Sequence, residues 1–235
     1  MSNNTGGFEY EQKVLDCLKR SKISGDILSS AGSDSKNPDA DFVVGGENYL
    51  LEIKKDDSAQ MGGTSVKYSN GKFTLVSEHV DSLTQSALMA ELNTKKTSID
   101  KMLKSLNCTQ FPLTCDRDSW TGAKNKGLLK PINGVVKRDL QFLIDHYKNK
   151  GVHYIQIGDS GLFYLDENPA NLPIPKLEGE LNIEIRAGRS GSYSVNSGAK
   201  MVSGGLRIQG RLKVKQSSPF TLDNLNSVKK MIKSL

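Results

Sequence analysis

Asp41, Glu52 and Lys54 are two carboxylates and an ammonium carried on a stretch that reads as a tight β-ribbon. Phe42-Val43-Val44 is an apolar run, Gly45-Gly46-Glu47-Asn48 has turn chemistry, and Tyr49-Leu50-Leu51-Glu52-Ile53-Lys54 is a second run of strand character. A loop centred between Gly46 and Glu47 predicts Val44 opposite Tyr49 and Asp41 opposite Glu52. Directly opposed residues of an antiparallel pair share a face, with Cβ atoms roughly 4.5–5.5 Å apart. Lys54, two residues beyond Glu52, shares that face. Carboxylate oxygens suit a hard divalent cation such as Mg2+. The ammonium can steady a developing negative charge or position a water. A one-residue slip would send the three groups to opposite faces.

Pro38-Asp39, then Asp41, then Glu52-Ile53-Lys54 resembles the active-site motif of the PD-(D/E)xK nuclease superfamily, the restriction-endonuclease-like fold. The resemblance implies that Asp41 and Glu52 hold metal, that Ile53 lends its carbonyl, and that Lys54 is the catalytic lysine. Asp39 follows the proline literally and lies on the same side by parity, so it is the alternative first ligand. The resemblance is specific over residues 38–55 and loose over 7–165.

Several elements must position these groups. Phe8, Val14, Leu15 and Leu18 recur at helical spacing, which predicts a helix over residues 8–20. The resemblance places a catalytic glutamate on such a helix. Glu11 matches by position and Glu9 is the alternative, although the macrodipole alone favours an acid there. Residues 26–28 read as a short strand and 29–38 as a loop, which in the family lies over the active site and meets DNA. Lys36 is its candidate phosphate contact. Asn70-Gly71 between alternating runs predicts a type I′ hairpin inserted at about residues 64–77. An apolar stripe predicts helix over 79–106, with Asn93-Thr94 as the point at which it would kink or split in two. Residues 107–131 read as irregular, and 135–150 as a helix ended by Gly151. A strand–turn–strand unit follows over 152–165, in which His153 reads as a packed or solvent-facing residue.

Beyond a connector holding three of the seven prolines, the composition changes. Residues 181–187 and 206–214 read as strands around a Gly/Ser-rich segment. Arg186, Arg189, Lys200, Arg207, Arg211, Lys213 and Lys215 form a candidate nucleic-acid-binding set. Arg207, Arg211, Lys213 and Lys215 share parity, which predicts one basic strand face able to track phosphates. Thr221 is the expected N-cap of a closing helix.

The chain has 235 residues and a formal net charge of +6, compatible with nucleic-acid binding. Its three cysteines make neither a disulfide framework nor a zinc signature. It lacks a signal-type or membrane-spanning apolar run, so a cytoplasmic setting is expected, in a bacterial or phage-infected cell. The expected class is α/β: a restriction-endonuclease-like core over 1–165, with a central mixed sheet flanked by helices, and a basic β-rich extension over 166–235. The expected activity is Mg2+-dependent hydrolysis of DNA by a homodimeric endodeoxyribonuclease, with Mn2+ able to substitute. A Holliday-junction resolvase or an exonuclease of the same superfamily is the alternative. A non-catalytic DNA-binding protein on a nuclease scaffold is the alternative of another class.

Overall fold

The computed structural model describes residues 5–25, 37–56, 59, 61, 63–75, 95–129, 135–195 and 197–235. In chain order the elements are α1 (Thr5–Arg20), β1 (Ala40–Val44), β2 (Glu47–Lys54), β3 (Gly63–Ser69), β4 (Lys72–Leu75), α2 (Lys96–Ser105), β5 (Leu113–Asp116), α3 (Arg117–Asn125), β6 (Val135–Arg138), α4 (Gln141–Asn149), β7 (Tyr154–Ile157), β8 (Gly161–Tyr164), β9 (Gly179–Ser194), β10 (Lys200–Val214) and α5 (Leu225–Lys233). The protein is mixed α/β, as its sequence predicts. It divides into two units interleaved along the chain. The first comprises Met1–Gln60, Arg138–Leu181 and Arg211–Leu235, and the second Met61–Lys137 and Asn182–Gly210. The expected boundary at 165/166 falls inside the first unit.

The first unit is built on a four-stranded mixed sheet of order β1-β2-β7-β8. β1 and β2 are antiparallel, β2 and β7 parallel, and β7 and β8 antiparallel. The β1–β2 turn is Gly45-Gly46, with φ of 62° and 89°. Positive φ at both positions is the signature of a two-residue type I′ turn, which glycine adopts without steric cost. Val44 therefore pairs with Glu47, and Asp41 with Leu50. This corrects the predicted register: the turn sits one residue earlier, and every partner moves by two. Because the shift is even, the faces are preserved.

One face of this sheet packs Ala40, Phe42, Leu51, Ile53, Tyr154 and Leu162 against Val14, Leu15 and Leu18 of α1 and Val228 and Met231 of α5. Gln156 is fully buried among them and is satisfied on several sides. It donates to the Tyr10 hydroxyl and Thr221 Oγ1, each at 3.0 Å, and accepts from the Leu222 N–H at 2.9 Å. The proline-containing connector closes on the sheet through Tyr154, whose hydroxyl donates to Asn168 Oδ1 and accepts from the Ala170 N–H, each at 2.9 Å. Alternation puts Asp39, Asp41, Leu50, Glu52 and Lys54 on the other face.

Gly151, at φ 75°, closes α4 as expected, its N–H donating to the Lys148 carbonyl. The helix is shorter than predicted, however. Val135–Arg138 is strand β6, because Val-Val favours an extended backbone that here joins β9. Asp139 Oδ1 then accepts the Gln141 N–H and starts α4. Thr221 does not cap the last helix. Asn224 does, accepting from the N–H groups of Asn226 and Ser227, while Thr221 joins the Gln156 network.

The second unit contains most of a curled antiparallel sheet of order β4-β3-β10-β9-β6, with β5 also paired to β10. Asn70 and Gly71, at φ 51° and 70°, form the expected hairpin turn, with Ser69 opposite Lys72. Residues 107–131, expected to be irregular, contain β5 and α3. Asp116 accepts the Ser119 N–H at 2.7 Å and caps α3. Trp120 is buried against Gly204, where a Cβ would lie 2.4 Å from the indole ring. The strands β9 and β10 extend beyond 181–187 and 206–214 and run through most of the Gly/Ser-rich segment between them. The predicted strand over 26–28 and the predicted helix over 79–94 lie outside the described residues. Among the described residues, no helix is long and apolar enough to cross a membrane.

Candidate active site

Asp39 stands one residue before β1, and the observed register carried one step further sets it opposite Glu52. Its backbone N–H donates to the Leu51 carbonyl at 3.1 Å. Its Oδ2 accepts the Ile53 N–H at 2.7 Å. Lys54 Nζ lies 3.6 Å from that same oxygen and is directly paired with Glu52 Oε1. Two acids and one ammonium thus meet on one face of one ribbon. The Glu52 side chain is only 6% exposed, Lys54 17% and Asp39 21%.

The electrostatics follow from crowding in a dry place. Burial raises the Asp39 carboxyl above the usual carboxylate range, and the neighbouring Glu52 adds to this. The Lys54 charge and the Ile53 N–H oppose the rise without cancelling it. Burial alone would lower Lys54. Glu52, Tyr147 and Asp39 together overcome that and hold it well above its ordinary value. Lys54 is thus held as a cation beside the two acids, placed for positioning and charge neutralisation.

The residues fit a divalent cation on a specific observation. Glu52 Oε2 is buried and has no hydrogen-bond partner among the described residues. An anionic oxygen left so is costly unless a cation meets it. The Leu51 carbonyl points toward β1 to meet Asp39, so the Ile53 carbonyl, two residues on, points the same way, beyond the last ladder bond. Asp39, Glu52 and the Ile53 carbonyl are then three oxygen donors at one edge. Among the described residues, no group of three or more His, Cys, Asp or Glu side chains stands together to hold a metal. Two carboxylates, a carbonyl and several waters are the kind of set Mg2+ takes.

The other sequence-predicted residues are placed as follows. Asp41 shares the face but lies opposite Leu50, buried against Gly25. A Cβ at Gly25 would be 2.0 Å from Asp41 Oδ2. The position expected for Asp41 beside Glu52 belongs to Asp39. Glu11 is half-buried on α1, whose apolar stripe covers the opposite face of the sheet, and Glu9 is exposed. Lys36 lies outside the described residues.

In β10 even-numbered residues turn inward, so Arg207, Arg211 and Lys213 share the outward parity, as expected. The unit boundary at 210/211 separates Arg207 from the other two. Lys215 lies past the end of β10 and pairs with Glu178 at 2.8 Å. In β9 odd-numbered residues turn inward, so Arg186 points outward while Arg189 has the inward parity. Lys200 has the inward parity of β10. The seven cations thus do not make one face.

Sequence reasoning missed two residues of α4 and its cap. Tyr147 is buried and acts on the Lys54 charge. Lys150 Nζ lies 5.5 Å from the Tyr147 ring centroid and acts on Asp39. Tyr147 reads in sequence as one more apolar stripe residue. Its hydroxyl was the available signal, since a buried phenol needs polar company. Compared with protein-family models, curated proteins and solved structures, the chain matches none.

Proposed function

We propose that the protein is a Mg2+-dependent endodeoxyribonuclease of the restriction-endonuclease-like type, hydrolysing DNA phosphodiester bonds. The observation that carries this reading is the meeting of Asp39, Glu52 and Lys54, with the partnerless buried Glu52 oxygen among them. The order of α1, β1 and β2, then α4 and β7 parallel to β2, supports it.

Asp39 and Glu52, with the Ile53 carbonyl, would hold the ion, and Mn2+ would satisfy the same oxygens. Bound there, the ion supplies Lewis acidity toward a phosphate and a water of lowered pKa. The chain's own residues do the rest. The Ile53 N–H fixes the rotamer of Asp39. Lys54, kept charged between the two acids, orients the attacking water through hydrogen bonds and offsets negative charge developing at phosphorus. Cutting both strands of a duplex with one such site calls for a two-fold pair of chains, so the active form is a homodimer.

A supercoiled-plasmid assay with Mg2+, against EDTA and against Lys54→Ala, tests the reading. Discrete nicked and linear products that vanish in both controls are expected. Loss from linear ends only would make it an exonuclease, and preference for a four-way junction a resolvase. The absence of a third clustered acid among the described residues favours one other reading, a DNA-binding protein without cleavage. A mobility shift with no cutting at any metal concentration would establish that reading instead.

A further inference from the structure

Through Ala187 the side chains of β9 alternate: Leu181, Ile183, Ile185 and Ala187 are buried, while Asn182, Glu184 and Arg186 are half-buried. From Arg189 onward the alternation stops. Arg189, Ser190, Ser192, Tyr193, Ser194 and Val195 are all exposed, as are Ala199 and Lys200 on the returning strand. Hydrogen bonding nevertheless continues, with the Val195 N–H donating to the Ala199 carbonyl at 3.0 Å and the Gly198 N–H to the Val195 carbonyl at 2.8 Å. The hairpin end, residues 193–195 and 197–200, therefore exposes its side chains on both faces, beyond the stretch of β10 that also holds β5. Such a ribbon gains nothing from a core of its own. Tyr193 is 50% exposed and Val195 37%, among the few large apolar side chains the described surface shows. The sequence around it holds no acid between Glu184 and Asp223.

We propose that this ribbon end is an arm that enters a groove of duplex DNA. Arg189 and Lys200 flank it as phosphate contacts, and Tyr193 lies against the sugar and base edges. The major groove, about 12 Å wide, admits a two-stranded ribbon. Gly188, Gly191 and the serines keep its backbone slim enough for close approach. Cations set the position on the phosphates, and an amphipathic aromatic makes the intimate contact. The inference rests on DNA as the substrate in the reading above, but not on the cleavage chemistry.

The test is fluorescence anisotropy of a short labelled duplex with the full chain in EDTA, where cutting plays no part. Arg189→Ala/Lys200→Ala should weaken binding about 10-fold and lower the slope of log K against log salt by about two over roughly 50–200 mM salt. Tyr193→Ser should weaken binding severalfold while leaving that slope unchanged. Lys101→Ala/Lys104→Ala, on exposed positions of α2, removes the same charge and should leave binding within about twofold. Equal weakening by the two double variants, unchanged binding by the arm variants, or equal affinity for a single strand of the same length each overturns the proposal. Should cleavage fail while duplex binding stays arm-dependent, the catalytic reading falls and this one stands.

Discussion

The oxygen of Asp39 that accepts the Ile53 N–H at 2.7 Å is the same oxygen that faces Lys54 at 3.6 Å. The strand carrying Glu52 and Lys54 therefore orients the first carboxylate itself. Asp39→Asn keeps an acceptor for Ile53 but loses the charge. It should fold normally and lose Mg2+-dependent plasmid cleavage by more than about 100-fold. Asp41→Asn, against Gly25, should keep at least about a tenth of the activity. The reverse ranking in the same assay would return the first ligand to Asp41.

The partnerless Glu52 oxygen predicts metal-linked stability. At Mg2+ tenfold above its Kd, linkage adds about 1.4 kcal/mol. For a chain of this size that raises Tm by roughly 3–6 °C. Differential scanning fluorimetry should record the rise for the wild type and none for Glu52→Gln. A rise of the same size in Glu52→Gln would place the ion elsewhere.

Lys54→Met should destabilise the metal-free protein, because Asp39 and Glu52 would then face one another with no cation between them. Adding Asp39→Asn to that variant should recover part of the loss, since one of the two opposed charges is gone. Urea midpoints in EDTA measure both. Strict additivity of the two substitutions would mean that the groups are not coupled.

His153 supplies a pH test away from the metal ligands. Its Nδ1 accepts the Leu50 N–H at 3.3 Å, which requires an unprotonated nitrogen. Burial lowers its pKa from 6.5, against a smaller opposing effect of Glu167. The folded state then resists a proton that the unfolded chain accepts. The His153 contribution to stability is thus complete above about pH 6.5 and is lost as pH falls from there through the lower folded value. His153→Gln should flatten the stability profile between roughly pH 7 and 5. An unchanged profile would remove the histidine as its cause.

Gly158 holds the end of β7 against the strand that carries the lysine. Its N–H donates to the Lys54 carbonyl at 2.8 Å, and a Cβ there would lie 1.9 Å from the Lys55 carbonyl oxygen. Backbone must move to admit it, so Gly158→Ala should cost about 1–3 kcal/mol and reduce cleavage. Gly122→Ala, in α3 with nothing within 4 Å, should be neutral or stabilise by about 0.4–1 kcal/mol. Thermal unfolding and plasmid cleavage of the pair separate local displacement from the generic effect of a methyl group.

Features written in neighbouring residues were legible. Asn70-Gly71 names its own turn, and the Glu52-Ile53-Lys54 spacing is enough to bring a carboxylate and an ammonium together. The Asp39–Glu52 partnership was only half legible. Parity put both acids on the correct face, but choosing between Asp39 and Asp41 depends on whether Gly45-Gly46 or Gly46-Glu47 makes the turn, and only φ values settle that. Val135–Arg138 was misread because Val136 also fits a helical stripe, and the strand that claims it, β9, begins more than forty residues later. Trp120 falls in the stretch 107–131 that reads as irregular, because Gly204, which makes room for its ring, is still more remote in sequence. The part played by Lys150 depends on how α4 ends beside β2, which local pattern does not encode.

Leu222, Val228 and Met231 share a core with Val14, Leu18 and Phe42. A ribosome therefore releases the ribbon bearing Asp39 and Glu52 long before the residues that wall its rear exist. Pairings this distant close slowly, since the loop entropy must be met before the contacts form. The nascent chain is thus kept from assembling a complete first unit until the segment around 222–231 has emerged, and any activity of the unit begins only after that point in synthesis.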